Sequence, residues 1–165
     1  MKPSTPSSTR KSPKNPGGST TSWKIPKPTD VLSYVYLWHR EAEAGADEGK
    51  KERPVVVVVA IDRQQHGTQV LVVPVTTRPP REGDAAVEMP AGVRRHLGLG
   101  EERCWIVADE YNLFTWPGPD IRPIRTGREI SPLYGSIPGR LLEQVREKIA
   151  QVAHAGRLKA TKRTV

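Results

Sequence analysis

Cysteine is nearly missing from this chain: Cys104 stands alone among 165 residues. One thiol closes no intrachain disulfide and cannot by itself build a Cys-rich zinc site, so the composition points to a reducing compartment, with the cytoplasm as the expected location. Long apolar runs are missing too. Nothing approaches the roughly 18 apolar residues of a membrane span, and the N-terminus has no apolar stretch of the secretory kind, so no membrane partner is expected. No internal repeat is visible, and 165 residues suffice for one cored domain plus tails.

Acids are absent from both ends. Residues 1–27 carry six cations (Lys2, Arg10, Lys11, Lys14, Lys24 and Lys27), and residues 157–165 carry four more (Arg157, Lys159, Lys162 and Arg163). The net charge of +8 therefore sits in the tails: the middle keeps 16 of the 26 cations against all 18 acids and sums to −2. A generic basic clamp is excluded. Any polyanion must be gripped by a local cluster, with the tails adding salt-sensitive attraction. Residues 1–22 hold no large apolar side chain after Met1 and cannot bury enough surface to offset their ordering entropy. The expected organisation is a disordered basic tail (1–27), one domain (28–156) and a second loose basic tail (157–165).

What is present is mostly strand signal. Residues 30–38, DVLSYVYLW, are apolar or aromatic on both alternating faces, as in a strand covered on both sides. PVVVVVAI (54–61) is β-branched almost throughout and suits a central strand, with Pro54 at its start where a missing donor does least harm. The polar stretch 62–68 reads as a hairpin connection into QVLVVPVTT (69–77). Further strands are expected at 85–90, 103–110 and 112–116. AGVRRHLGLG (91–100) reads as a short helix ending in Gly. In PGRLLEQVREKIAQVAHAG (138–156), Leu141, Leu142, Val145, Ile149 and Val152 form one apolar stripe, which predicts a C-terminal amphipathic helix. The fold class is mainly β, a small barrel with a short internal helix and a C-terminal helix.

Chemistry converges on Arg53, just before the valine run. If the two long strands pair through their connection, Arg53 and the Thr76–Thr77 step lie at the same edge of the sheet. Alone, Arg53 would pass for a charged gatekeeper of an apolar strand, and the threonines for ordinary strand-end residues. Together they bring a cation and a hydroxyl to one place.

The order of an aromatic strand, a Gly and Glu loop, Arg-Pro before a Val-rich strand, a polar hairpin and then Val-Pro-Val-Thr-Thr resembles the MazF/PemK family of bacterial toxins. The match runs from about Asp30 through Thr77. It implies an SH3-like (CcdB/PemK-type) barrel, usually a homodimer, that cleaves single-stranded RNA without metal or cofactor and is neutralised by a small antitoxin protein. Carried onto this sequence, the resemblance gives Arg53 and Thr76 catalytic roles, and the loop glutamate corresponds best to Glu48. Thr77 and His39 are supporting candidates, His39 because imidazole titrates near neutrality. RNA contacts are expected from Arg78, from Trp38 by stacking, and from Arg122, Arg125 and Arg128 in a Pro and Gly loop. The sequence departs from the family in its first loop, HREAEAGADEGKKE, where Glu41, Glu43, Asp47, Glu48 and Glu52 would repel phosphate unless they fold away.

Two other classes compete. VEMPAGVRRHLGLG (87–100) resembles the strand-turn-helix stretch of AbrB-type DNA-binding proteins, with Arg94 and Arg95 as readers of DNA. A barrel that lost its enzyme and serves protein association is the third reading, favoured by the acidic loop.

Overall fold

The computed structural model describes residues 23–126 and 129–163. The expected disorder of residues 1–22 and the candidate Arg128 lie outside them. Among the described residues the order is β1 (Asp30–Val35), α1 (His39–Glu43), β2 (Glu52–Asp62), β3 (Thr68–Thr76), β4 (Ala86–Glu88), α2 (Ala91–Leu97), β5 (Trp105–Val107), β6 (Glu110–Trp116), β7 (Ile124–Thr126), β8 (Glu129–Ser131), β9 (Leu133–Ser136), α3 (Gly139–His154) and β10 (Lys159–Lys162).

The valine run is the middle of the sheet, as its β-branched composition requires. The hydrogen-bonded path runs β10-β6-β3-β2-β1-β9, with β5 and β4 joined to it through the end of β3. The fold is mainly β and largely antiparallel, with three helices among the described residues. No backbone pairing joins the two ends of that path. β3 is shared: residues 68–72 pair with β6, while Val75 and Thr76 pair with Ile106 and Trp105 of β5.

Alternation along β2 divides two apolar layers. Val56 and Val58 enter a core with Val73, Val75, Met89, Ile106 and the α3 residues Leu141, Leu142 and Val145. Val55 and Val57 enter a second, aromatic core with Tyr34, Tyr36, Phe114, Trp116 and Ile121. Both faces are thus covered, which is why β1 and β2 read as apolar on both sides; each fully buried Val contributes about 1.5–3 kcal/mol. A bulge interrupts the β2–β3 register between Val57 and Val59. It leaves Val58 unpaired on the ladder, and its carbonyl accepts a 2.7 Å hydrogen bond from Arg146 of α3. The amphipathic helix therefore both packs on the sheet and satisfies its bulge.

The 62–68 connection is a hairpin closed by a 3-10 turn, Gln64–His66, with Gln64 (φ 57°) and Gly67 (φ 81°) in the left-handed region. It fixes the pairing of Val55 with Pro74 and Val56 with Val73. Several expectations change. β1 ends at Val35 rather than continuing to Trp38, because the chain turns there into the unforeseen helix α1. The Pro and Gly loop after Trp116 contains the β7–β8 hairpin. The segment after Gly156, expected to be loose, forms β10, which pairs in parallel with β6 from Lys159↔Glu110 to Lys162↔Leu113. It is held because Thr161 is buried and Arg163 inserts against Asp120 at 3.0 Å.

Candidate active site

Antiparallel register brings the two strand ends together. Arg53 lies two residues before Val55, and Thr76 two residues after its partner Pro74, so both fall at one edge of the same strand pair. The Arg53 guanidinium reaches across: its Nη1 donates to the Val75 carbonyl at 3.4 Å, next door to Thr76. Both side chains line a cleft of about 830 Å³ that also includes Trp38, His39, Thr77 and Arg78. Six of the residues singled out in the sequence thus share one cavity.

Arg53 is poorly compensated there. It is half-buried, its Nε is buried with no hydrogen-bond partner, and its one hydrogen bond is long. Its guanidinium sits 5.1 Å from the centroid of the Trp38 ring, and a second guanidinium, that of Arg40, sits 4.9 Å from the same ring. Burial pulls the Arg53 pKa below its ordinary value; Glu41 opposes this, while Arg40 and Arg78 add to it by like-charge repulsion. Two guanidiniums share one indole and a third, that of Arg78, lines the same cleft, so an anion bound there would relieve like-charge repulsion. Trp38 is therefore a platform for cations within the protein.

Thr76 is oriented by its own turn: its Oγ1 accepts a hydrogen bond from the Arg78 amide at 3.1 Å, which leaves the hydroxyl proton to donate elsewhere. The cleft is completed by residues that sequence reasoning missed. Lys51, Arg81, Arg157 and Lys159 join Arg40, Arg53 and Arg78 on its walls, seven Lys and Arg against the four acids Glu43, Asp84, Asp109 and Glu110. This is the local basic cluster that a core of net −2 demanded. Arg157 and Lys159 reach it because β10 is ordered beside β6.

The acids are mostly turned to internal donors. Asp84 accepts from the Arg81 amide at 2.8 Å and Asp109 from the Ala85 amide at 3.1 Å. Glu110 Oε1 accepts from the Tyr36 hydroxyl at 3.1 Å and the His39 amide at 2.9 Å. Burial pushes the Glu110 carboxyl pKa above its ordinary value, against those hydrogen bonds. Of the five acids in the first loop only Glu43 lines the cleft, and it lies 3.6 Å from His39 Nε2. Glu41 instead accepts from the Trp38 amide at 3.3 Å. Gly49 carries the loop tight against β1, where any Cβ would collide with the Tyr36 carbonyl. Most of the acidic loop has folded away from the cleft.

Other candidates sit elsewhere. Glu48 is exposed and is not among the residues lining the cleft. Arg122 and Arg125 also lie outside it: Arg122 Nη1 donates to the carbonyls of Pro119 (2.6 Å) and Ile121 (3.1 Å), tying its own loop, and Arg125 is exposed on β7. Cys104 is a buried neighbour of Met89, with its sulfur 3.9 Å from the Met89 sulfur, and burial raises its thiol pKa. Among the described residues no group of three or more His, Cys, Asp or Glu is placed to hold a metal ion, and no helix is long and apolar enough to cross a membrane. Comparison with protein-family models and with curated proteins finds no match to this chain.

Proposed function

We propose that the chain is a toxin-type endoribonuclease that cleaves single-stranded RNA without a metal or cofactor. The observation that carries this reading is the meeting of Arg53 and Thr76 in a cation-rich cleft, with no ion pair to Arg53 among the described residues. RNA brings its own nucleophile, the 2′-hydroxyl, so the protein has only to move protons and stabilise charge on the phosphorane oxygens. Arg53, planar and permanently charged, suits the two non-bridging oxygens, and the Thr76 hydroxyl can donate to one of them. The remaining cations on the walls suit the flanking phosphates of a flexible strand. In this reading the two-layered sheet corresponds to an SH3-like barrel, the protein works as a homodimer, and a small antitoxin covers the cleft.

The DNA-binding reading loses half of its basis. Arg94, one of its two readers, is only 8% exposed and donates to the Gly100 carbonyl at 3.2 Å. The deciding experiment is incubation of the purified protein with single-stranded RNA in chelator, beside R53A and T76A. Cleavage by the wild type and its loss in both variants support the nuclease. Duplex-DNA binding without cleavage restores the AbrB-like reading, and neither activity leaves a protein-association module.

A further inference from the structure

Arg53 and Thr76 leave the reaction without a base. A guanidinium stays protonated at any working pH, and a Thr hydroxyl is no proton acceptor for another hydroxyl. Four carboxylates line the cleft, and their surroundings separate them. Asp84 and Asp109 are engaged by neighbouring backbone amides, and Glu43 is 72% exposed on the short helix. Glu110 differs. It opens β6, is partly buried, and among the described residues has no ion pair with Lys or Arg; two donors from outside its own strand, the Tyr36 hydroxyl and the His39 amide, both bind its Oε1. Such a clamp fixes the carboxyl's direction with one oxygen and presents the carboxylate without a neutralising cation. Glu110 and Arg53 line the same cleft.

Resting on the nuclease reading, we infer that Glu110 is the general base that takes the proton from the RNA 2′-hydroxyl. The proton moves from O2′ to a Glu110 carboxylate oxygen while the O2′–P bond forms. The P–O5′ bond then breaks, leaving a 2′,3′-cyclic phosphate; the departing 5′ oxygen takes a proton from water, and the hydroxide so formed takes the proton back from Glu110, restoring the carboxylate. No oxidant, metal or co-reactant is consumed. The ionisable groups around Glu110 are Tyr36 just after β1, His39 on α1, Asp109 beside it, Lys159 opposite it on β10 and Arg53 in the shared cleft. Burial, the largest influence on Glu110, places the acid limb of the rate profile at higher pH than an ordinary carboxylate would.

The test compares wild type, E110Q and H39Q. E110Q keeps an oxygen to accept from Tyr36 and His39, so the clamp survives while the base is lost. The expected result is a fall in kcat of about 10²–10⁴-fold with loss of the acid limb of the pH profile. Affinity for the same RNA carrying a 2′-deoxy sugar at the cleaved position, and the urea midpoint, stay at wild-type values. Wild-type cleavage with an E110Q rate and profile unchanged overturns the assignment alone, as does an acid limb that disappears in H39Q but persists in E110Q. A wild type that cleaves no RNA overturns the nuclease reading and this assignment with it.

Discussion

Arg53 and Arg163 are both arginines drawn partly out of water, and the protein treats them in opposite ways. Arg163 is 8% exposed and forks onto Asp120, itself 2% exposed, at 3.0 and 3.2 Å. A third bond, at 2.7 Å, reaches the Asp47 carbonyl. Burial lowers its pKa, but Asp120 more than reverses this and leaves it raised. Among the described residues Arg53 has no ion pair, one side-chain bond of 3.4 Å, an unpartnered buried Nε and the repulsion of two guanidiniums that Glu41 only partly offsets, and its pKa is lowered. Arg163 completes the fold: it ties the last strand, the acidic loop and the segment after β6 at one point. Arg53 is held by the Val75 carbonyl and the Trp38 indole, with hydrogen-bonding capacity left over. Arg163 is a satisfied guanidinium and Arg53 an unsatisfied one; Arg94 also keeps a buried Nε without a partner, but of these three only Arg53 lines the cleft.

The comparison breaks most visibly through stability. R163M leaves Asp120 buried without its counter-charge, and losing one partner of such a pair costs about 3–5 kcal/mol. R53M removes a cation under repulsion and should leave the urea midpoint unchanged or higher. If R53M unfolds as readily as R163M, Arg53 is a structural residue and the distinction between the two fails. The same R53M protein carries the next largest effect: loss of a guanidinium aimed at the developing oxyanion lowers kcat on RNA by about 10²–10³-fold. Activity of R163M, assayed well below its melting temperature, stays near wild type.

Thr76 sharpens the site half of the comparison. T76V preserves the strand-end shape and β-propensity but removes the hydroxyl, and the Arg78 amide it served is exposed to water. Losing one hydrogen bond to a charged group costs about 1.5–3 kcal/mol, a fall of roughly 10- to 100-fold in kcat. Stability should change little. A T76V enzyme with full activity would place the hydroxyl outside the reaction and leave Arg53 to stabilise the phosphorane without it.

How much of this could be read in advance depends on the separation between partners. The β2–β3 pair and the convergence of Arg53 with Thr76 were legible, because a β-branched run, a polar turn and a second run determine a hairpin and hence a shared edge. The stripe of α3 was legible for the same local reason. The Trp38 platform was not, since nothing in a linear pattern places Arg40 and Arg53 on one indole. Glu110 was hidden because its two donors lie 71 and 74 residues away. β10 was hidden because KATK has no apolar periodicity. Its order comes from pairing with β6 and from the contact between Arg163 and Asp120, 43 residues earlier.

That last strand also carries the smallest effect. The basic C-terminal segment was expected to attract polyanions without order, yet Arg157 and Lys159 stand on the cleft wall, and Arg157 donates to the Gly83 carbonyl at 3.4 Å. Cations fixed along a groove neutralise particular phosphates, so each should contribute about 0.7 to the slope of log affinity against log salt for single-stranded RNA. R157Q with K159Q should therefore flatten that slope by about 1.4, measured with the 2′-deoxy-blocked RNA so that cleavage does not intervene. R125Q, which removes an exposed cation outside the cleft, is the control. A mobile halo of charge would make the two effects equal per cation removed. A cleft that follows the RNA backbone makes the β10 pair matter and Arg125 indifferent, and it would place the satisfied Arg163 in service of the unsatisfied Arg53, since that ion pair anchors the strand bearing the wall.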